Sequence, residues 1–348
     1  MTIRFGIVGC GVISGTHARA VRDASDASQL VGVTDTDRDK AEKVAAEYGV
    51  EVIDSLEAML ARDDIDVISV CVPSGLHAEV ALQAIAAGKH VVVEKPADVS
   101  IAAIDKMIAA RDAAGVQVAC ISQHRFDGAS QLVHEAVTEG RFGEITSGSA
   151  AINWWRSQPY YDSGEWRGTW ELDGGGALMN QGVHSVDLLV WLLGTPVEVF
   201  AYTALRAHER IEVEDVAVAS VKFESGAVGT VLGTTAAYPG LTTRLHVHGA
   251  KGSAVIDNNR LTYYHVKDET TKESNYGASG AGNQAEQVID ADARRNDHAE
   301  QYRDFLNALA TDGKPLVTLE QARRSVGLVL GIYESARTGA PVSLTASA

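Results

Sequence analysis

The chain has 348 residues, which exceeds the usual single-domain size of about 100–200 residues and predicts two domains. Hydrophobic residues make up 45% and charged residues 22%, as in globular proteins, and the net charge of −16 argues against a DNA or RNA partner, which would need a basic face. No apolar run approaches the ~20 residues that span a bilayer, and no leader precedes the first strand-like run at Ile3, so we expect a cytoplasmic protein without a membrane partner.

Apolar runs alternate with helix-like segments over the first part of the chain. The runs are IRFGIV at the start, then LVGVTD (30–35), DVISVCV (66–72), HVVVEK (90–95) and VQVACI (116–121). Such alternation is typical of βαβ units and of a parallel sheet covered on both faces, so we predict an α/β fold with a doubly wound Rossmann domain over residues 1–122. The three cysteines have no close pair such as CxxC and are interpreted as buried apolar residues.

A glycine turn follows the first run. The residues Gly9-Cys10-Gly11-Val12-Ile13-Ser14 nearly match the dinucleotide-binding pattern GxGxxG/A, with serine at the third small position. Gly9 permits the tight turn, and Gly11 lets a pyrophosphate approach the N–H groups at the helix N-terminus, where the dipole favours negative charge. A plain βα turn is the alternative, but the flanking strand and helix favour a cofactor site that includes Gly9, Gly11, Val12 and Ile13.

An acidic residue ends the second run. The carboxylate of Asp35 is placed to accept hydrogen bonds from both ribose hydroxyls and to repel a 2′-phosphate, which favours NAD over NADP. Arg38 lies where a 2′-phosphate would sit, or could stack on adenine, so NADP stays possible.

A second signature, Glu94-Lys95-Pro96, lies in CVPSGLHAEVALQAIAAGKHVVVEKPADVS (71–100). With the glycine turn, this segment resembles the Gfo/Idh/MocA family of nicotinamide-dependent oxidoreductases. The likeness covers nearly the whole chain and continues through QHRFDGASQLVHEAVTEGRFGEI, WRGTWELDGGGALMNQGVHSVDLLVWLLG, VEDVAVASVKFESGAVGTV and LVLGIYESARTGAPVSL. The resemblance implies a substrate-binding and oligomerisation domain over 123–348, a helix near 318–337 that packs back on the first domain, and a homodimer or homotetramer.

Lys95 follows a parallel strand, so its side chain is expected in the ligand crevice at the carboxyl edge of the sheet. Apolar surroundings and a cationic nicotinamide would favour its neutral form, which suits an acid/base near neutral pH; a surface lysine that closes a strand is the alternative. The resemblance implies that Pro73, Ser74, His77 and Glu94 also line the cofactor, although the family often has Asn at position 74. His77 is alternatively a polar residue of a helix first turn.

The second half has a different pattern. Residues 197–265 contain successive strands separated by Gly, Asn and Ser turns, which predicts an α+β domain with a large, open and mostly antiparallel sheet. His246 and His248 lie two apart on a strand but have no third ligand beside them, so no metal site is expected. Residues 266–297 are polar and glycine-rich and are interpreted as a long loop, and two helical segments follow.

Glycines at 174–176 precede a helical segment with polar residues. Asn180 and His184 are four apart, hence on one helix face, and Asp187 and Trp191 continue that stripe. The glycines permit an unusual backbone entry, which would let His184 face a cavity. A satisfied core histidine is the alternative interpretation.

The family often has Asp-x-x-x-His at this place, whereas this chain has asparagine. Asn180 cannot take a proton but can donate to and accept from a sugar hydroxyl, so proton transfer falls to Lys95 or His184. A subset that resembles dehydrogenases oxidising C3 of a nucleotide-linked amino-sugar uronate also carries Asn here.

These residues predict an NAD(P)-dependent oxidoreductase acting on a secondary hydroxyl or keto carbon of a sugar, sugar acid or cyclitol. The resemblance implies further contacts with this polyhydroxylated substrate, or with the cofactor, at Arg125, Asn153, Arg156, Tyr160, Tyr161, Trp166 and Arg167. The arginines could read a carboxylate or phosphate, and sheet packing is the alternative for each. Two other functions stay open: a redox-neutral glycosidase that holds NAD, and a non-catalytic NAD-sensing regulator.

Overall fold

The computed structural model describes residues 2–268, 271–275, 277–279 and 297–344. The chain divides into two compact units. The first contains the described parts of 1–123, 171–174 and 295–326, and the second contains the described parts of 124–170, 175–294 and 327–348. The sequence placed all of 123–348 in one domain, whereas two segments of that range group with the first unit.

The first unit contains a parallel six-stranded sheet, which confirms the predicted Rossmann architecture. Its order is β3-β2-β1-β4-β5-β6, the arrangement of doubly wound dinucleotide-binding folds. The strands are β1 Ile3–Val8, β2 Ser28–Thr34, β3 Glu51–Val52, β4 Val67–Val70, β5 His90–Val93 and β6 Val118–Cys120. Each predicted apolar run overlaps one of these strands, and β3 is an addition that the sequence did not indicate.

Helices connect these strands, and local signals explain several of their ends. They are α1 Ser14–Ala24, α2 Arg38–Tyr48, α3 Leu56–Leu60, α4 His77–Ala86 and α5 Ile101–Ala114. The Asp37 side chain caps α2 by accepting the Lys40 N–H, and Gly49 ends it in the left-handed region with φ 68°. Ser100 and Gly115 do the same for α5.

Helix α9, Asp297–Thr311, belongs to the core of the first unit. Its Tyr302 and Phe305 are fully buried against Phe5, Val67 and Val92 of the sheet. Burying a side chain of this size contributes roughly 1.5–3 kcal/mol, so this late segment completes a core that the first 122 residues leave open.

The second unit contains an eight-stranded sheet of order β13-β12-β11-β7-β10-β9-β8-β16. All neighbouring pairs are antiparallel except β10 with β7, which confirms the predicted mostly antiparallel sheet. The strands are β7 Ile145–Asn153, β8 Pro196–Ala204, β9 Val216–Phe223, β10 Val228–Thr234, β11 Thr243–Gly249, β12 Gly252–Asp257, β13 Arg260–Val266 and β16 Val342–Ser343. Strands β14 Lys272–Ser274 and β15 Gly277–Ser279 form a separate ribbon, and the rest of the predicted loop over 266–297 lies largely outside the described residues.

Two helices of the second unit pack on this sheet. Helix α8, Val183–Leu193, contacts β7 and β11, and helix α6, Gly128–Thr138, contacts β12 and β13. Helix α7 is the short segment Gln158–Tyr161. The opposite face shows the exposed side chains of Tyr202, Val218 and Val228. That this open face joins copies of the chain stays a prediction.

The last helix, α10 Leu319–Thr338, runs through both units. In the first unit, Glu320 pairs with Arg111 at 2.5 Å and Arg323 pairs with Asp105 at 2.5 Å. None of the helices in the described part of the chain combines the length and the apolar character that a bilayer span needs.

Candidate active site

The glycine turn has the geometry that a bound dinucleotide requires. Gly9 has φ +95°, and a Cβ there would lie 2.6 Å from the Cys71 carbonyl oxygen, so only glycine fits. A Cβ on Gly11 would meet nothing within 4 Å, which leaves the turn open on that side. Val12 is 94% exposed, and α1 begins at Ser14 without an acidic residue in its first turn. This open helix N-terminus suits the diphosphate of a dinucleotide.

Ser14 replaces the usual third glycine without opening the turn. Its side chain is 1% exposed, and its hydroxyl donates a 2.7 Å hydrogen bond to the Gly11 carbonyl. Serine therefore fits the close packing between helix and strand that this position requires.

Asp35 lies directly after β2, and backbone N–H groups fix its carboxylate beside the glycine turn. One oxygen accepts the Cys10 N–H at 2.6 Å and the other accepts the Asp37 N–H at 2.7 Å. The side chain is half-buried and can still accept from a ribose hydroxyl.

Arg38 is poorly placed to favour NADP. Its guanidinium pairs with Glu42 at 2.9 Å and with Asp54 at 3.0 Å. These carboxylates offset the charge that a 2′-phosphate would need, so the predicted cofactor role of Arg38 loses support.

Glu94 faces the interior rather than the cofactor crevice. Its side chain is buried, and one carboxylate oxygen bonds the His17 ring at 2.9 Å while the other accepts the Lys95 N–H at 2.9 Å. The other ring nitrogen of His17 lies 2.7 Å from the Tyr302 hydroxyl, which is also 2.7 Å from the Ser69 hydroxyl. We therefore replace the predicted cofactor contact of Glu94 with a structural role, because protein groups use both of its oxygens.

One protonation pattern satisfies this buried network. Burial opposes ionisation of Glu94, but the His17 hydrogen bond and the nearby His298 ring hold its pKa well below the usual range. Burial lowers the pKa of His17 and raises that of Tyr302 well above its ordinary value. A neutral His17 can donate from Nε2 to ionised Glu94 and accept from the Tyr302 hydroxyl at Nδ1.

The Nε2 atom of His298 lies 3.5 Å from the same Glu94 oxygen. These three side chains are close enough together to hold a metal ion. Hydrogen bonds already satisfy His17 and Glu94. We therefore assign the cluster a structural role: it holds Glu94, whose carboxylate accepts the Lys95 N–H.

His77 is also turned into the protein. It is 1% exposed, and its ring nitrogens lie 2.6 Å from the Pro96 carbonyl and 2.9 Å from the Val72 carbonyl. Burial lowers its pKa, although these carbonyls oppose the effect. The ring ties the loops after β4 and β5 together, which replaces the predicted cofactor contact. Pro73 and Ser74 lie between β4 and His77, and a short 3₁₀ turn begins at Ser74.

Gly175 and Gly176 accommodate close neighbours in the second unit. A Cβ on Gly175 would lie 2.2 Å from the Tyr333 hydroxyl, and one on Gly176 would lie 1.9 Å from the Glu214 carbonyl oxygen. The chain then enters a π-helix over Ala177–Gly182 before α8 begins.

This π-helix corrects the predicted regular helix. Its hydrogen bonds join residues five apart, so a spacing of four is not one full turn there. Asn180 lies in the π segment and His184 in α8, so their common face stays a prediction.

Glu214 fixes the start of the π-helix, a role that sequence reasoning missed. Its carboxylate accepts the Gly176 N–H, the Leu178 N–H and the Tyr333 hydroxyl, each at 2.9 Å. Burial raises its pKa to about 7, although these three hydrogen bonds act in the opposite direction. Its position as an acid in the apolar run VEDVAV was the available signal.

We expect Glu214 to make stability depend on pH. Its folded pKa of about 7 lies above the ordinary value of 4.5, so the folded state binds this proton more tightly. The stabilisation is fully present below pH 4.5, is lost as the pH rises through 7, and amounts to ~3 kcal/mol at most. Urea unfolding of wild type and Glu214→Gln at several pH values measures it. The wild type's advantage should shrink as the pH rises. An advantage independent of pH, or the same trend in the exposed control Glu224→Gln, would contradict it.

His184 is half-buried and lies beside a second histidine. Its ring centroid is 5.2 Å from that of His124 in an edge-to-face arrangement, and His124 Nδ1 lies 2.9 Å from an Asp127 carboxylate oxygen. Sequence reasoning missed His124, which the segment QHRFDG gave no reason to single out.

Arg125 is buried and forms an ion pair with Asp187. Its side chain is 1% exposed, and two of its nitrogens donate to the two carboxylate oxygens of Asp187, each at 2.7 Å. Trp191 lies beside the guanidinium, 5.3 Å from its central carbon to the ring centroid. The predicted polar stripe of α8 is thus partly an ion pair, and Asp187 occupies two of the guanidinium nitrogens that a substrate contact of Arg125 would use.

Several other predicted substrate residues come together in the second unit. Arg156 donates to Gln181 at 2.6 Å, and both Gln181 and Arg167 donate to the Tyr160 hydroxyl at 2.7 Å. Trp166 lies under the Arg167 guanidinium. Asn153 ends β7, Tyr161 is buried, and the Tyr161 hydroxyl bonds Thr235. Gln181 is the member that sequence reasoning missed, although it lies next to Asn180.

Comparisons with known proteins agree with this architecture. The family description "Oxidoreductase family, NAD-binding Rossmann fold" matches residues 3–122, and "GFO/IDH/MocA C-terminal domain" matches residues 130–255. The chain is similar to the inositol 2-dehydrogenase of Rhizobium meliloti, with 31% identity over 75% of this chain and 77% of that protein. It is also similar to the myo-inositol 2-dehydrogenase of Thermotoga maritima, with 30% identity over 77% and 79% of the two chains.

A solved structure is similar over almost the whole length. The WlbA dehydrogenase from Bordetella pertussis, in complex with NADH and UDP-GlcNAcA, is 34% identical and superposes with a TM-score of 0.90, covering 99% of each chain. The first unit is therefore an NAD-binding Rossmann domain, as the open glycine turn and Asp35 indicated.

Proposed function

The chain belongs to the GFO/IDH/MocA oxidoreductase family, and from this premise we propose that it transfers a hydride between NAD and a secondary hydroxyl or keto carbon of a sugar, sugar acid or cyclitol. One observation carries the proposal: Lys95 follows β5 of the unit with the open glycine turn, and buried Glu94 holds its backbone N–H. The relatives named above support the substrate class, since two are inositol dehydrogenases and one binds a nucleotide-linked sugar acid.

The protein groups handle the proton of this reaction. Oxidation removes a hydride from the carbinol carbon and a proton from its oxygen, and Lys95 takes that proton in oxidation and returns it in reduction. When bound, NAD supplies the hydride acceptor for oxidation, and its reduced form supplies the donor for the reverse. Asn180 orients the reacting hydroxyl, because its amide donates and accepts hydrogen bonds but does not titrate. His184 is the second candidate for moving the proton.

Purified protein with NAD and a panel of polyols, sugars and sugar acids tests the proposal by the appearance of NADH absorbance. Turnover with at least one polyhydroxylated alcohol supports it. Glycoside cleavage without net NADH would instead indicate a redox-neutral glycosidase, and NAD binding without any turnover would indicate a regulator.

Asp35→Ser should weaken the preference for NAD. The carboxylate is a charged acceptor for ribose hydroxyls, and hydrogen bonds to charged groups are worth roughly 1.5–3 kcal/mol, so KM for NAD should rise about tenfold or more. The loss of its negative charge should lower KM for NADP. Steady-state kinetics with both cofactors measure this. Asp39→Ser, in the first turn of α2, is the control. An unchanged ratio of the two KM values would count against Asp35 as the ribose contact.

His184→Gln should lower kcat by about ten- to hundredfold, the effect of losing one hydrogen bond to a charged or developing charged group. Asn180→Asp should keep turnover and alter substrate preference, because aspartate can still orient a hydroxyl. Kinetics of both variants on the same substrate measure this. If His184→Gln kept the wild-type kcat while Asn180→Asp lost activity, the roles assigned to His184 and Asn180 would have to be exchanged.

A further inference from the structure

Two arginines of the second unit are joined through shared side chains, which we call the arginine network: Arg156, Gln181, Tyr160 and Arg167. Arg156 donates to the Gln181 side-chain oxygen at 2.6 Å, and the Gln181 amide nitrogen donates to the Tyr160 hydroxyl at 2.7 Å. Arg167 donates to the same hydroxyl at 2.7 Å. Each partner of the arginines in this network is therefore neutral.

Carboxylates of the described residues do not pair with either guanidinium. Within the part of the chain that the structure describes, no carboxylate forms an ion pair with Arg156 or Arg167. The nearby acid Asp162 pairs with Arg210 at 2.7 Å. Two half-buried cations without a carboxylate partner among the described residues are unexpected in a chain of net charge −16, where acids outnumber Lys and Arg by 46 to 30.

Aromatic rings hold both guanidiniums by their faces. The central carbon of Arg156 lies 5.0 Å from the Trp154 ring centroid and 5.5 Å from that of Tyr160. The corresponding carbon of Arg167 lies 4.4 Å from the Tyr160 centroid and 4.6 Å from that of Trp166. Stacking fixes a guanidinium through its face and leaves in-plane N–H groups for oxygen anions, which arginine binds in a bidentate manner.

We propose that the arginine network binds an anionic oxygen group, a carboxylate or a phosphate, of the sugar substrate. This inference rests on the proposed function and narrows its substrate class from polyhydroxylated compounds in general to anionic sugars. The Gln181 amide nitrogen also donates to the Asn180 side-chain oxygen at 3.2 Å. The anion site is therefore one side chain away from the residue that orients the reacting hydroxyl.

Pairs of sugars that differ by one carboxylate or one phosphate group test this proposal. Calorimetry on the NADH-loaded protein compares glucuronate with glucose, glucose 1-phosphate with glucose, and UDP-GlcNAcA with UDP-GlcNAc. In at least one pair, the wild type should bind the member with the additional carboxylate or phosphate ten- to hundredfold more tightly than its counterpart, as expected for charge-assisted hydrogen bonds. The pair that shows the difference identifies the carboxylate or the phosphate as the group bound. Higher ionic strength should reduce this preference.

Arg156→Gln and Arg167→Gln should each reduce, about tenfold, the ratio of the affinity for the more charged member of that pair to the affinity for its counterpart. Arg167→Lys should recover part of the ratio, because lysine keeps the charge but not the planar fork. Arg244→Gln, at an exposed arginine of the same unit paired with Asp257, is the matched control and should leave the ratio unchanged. Circular dichroism checks that each variant folds.

Three results would overturn the inference: no anionic sugar preferred by the wild type, an equal effect of the substitutions on both members of a pair, or the same change in Arg244→Gln. These binding results are independent of turnover. A protein that binds anionic sugars through the arginine network but never forms NADH would refute the proposed reaction and keep the anion site. If the protein oxidised neutral sugars and substitution of Arg156 or Arg167 changed nothing, the proposed reaction would be kept and the anion site refuted.

Discussion

Replacing Lys95 by methionine is expected to lower kcat by about 10²–10⁴-fold, the usual contribution of a positioned acid/base. Methionine has similar length and no titratable proton, so the substitution removes the proton acceptor while filling the same space. The backbone should stay in place, because the Glu94 carboxylate accepts the N–H of residue 95, which methionine retains. NADH binding should therefore change much less than kcat.

Pre-steady-state and steady-state kinetics across a pH series measure this effect of Lys95→Met. The wild-type pH dependence of kcat should be flattened in the variant, since its base is gone. Lys106→Met, at an exposed lysine on α5 of the same unit, is the matched control. A Lys95→Met enzyme with near wild-type kcat would show that another group moves the proton, and His184 would then be the first to test.

Sequence patterns predicted the NAD-binding Rossmann domain because its signals are local. The strand, the glycine turn and the helix lie within about two dozen residues, and Asp35 and Lys95 follow strands whose ends meet at one edge of a parallel sheet. Period and spacing are sufficient for such features. The same reasoning misplaced Glu94, because its partner His17 comes from 77 positions earlier in the chain. Tyr302, which bonds the other ring nitrogen of His17, comes from a helix near the end of the chain.

The second unit was harder to predict because distant residues shape its local structure. A π-helix at 177–182 has no spacing signature of its own, and the contacts that fix its start come from Glu214 and Tyr333. Likewise, the arginine network depends on Gln181, which neither charge nor periodicity distinguished from its neighbours. The resemblance to a family indicated the region but not which of its polar side chains face each other.

Arg125 shows the same limit and carries the last prediction. Asp187→Asn should lower the free energy of unfolding by roughly 3–5 kcal/mol, because it leaves the guanidinium of Arg125, 1% exposed, without its counter-charge. The double variant Arg125→Met/Asp187→Leu should recover most of that loss, since replacing a buried pair by apolar side chains is often neutral or stabilising. Urea unfolding followed by circular dichroism measures both. A loss below about 0.5 kcal/mol in Asp187→Asn, the range of ordinary surface substitutions, would show that the pair is not structurally important. Activity of the double variant then separates the two roles of Arg125: a stable protein that oxidises its substrate normally confirms a purely structural arginine, and a stable protein with a raised KM restores the substrate contact that the sequence suggested.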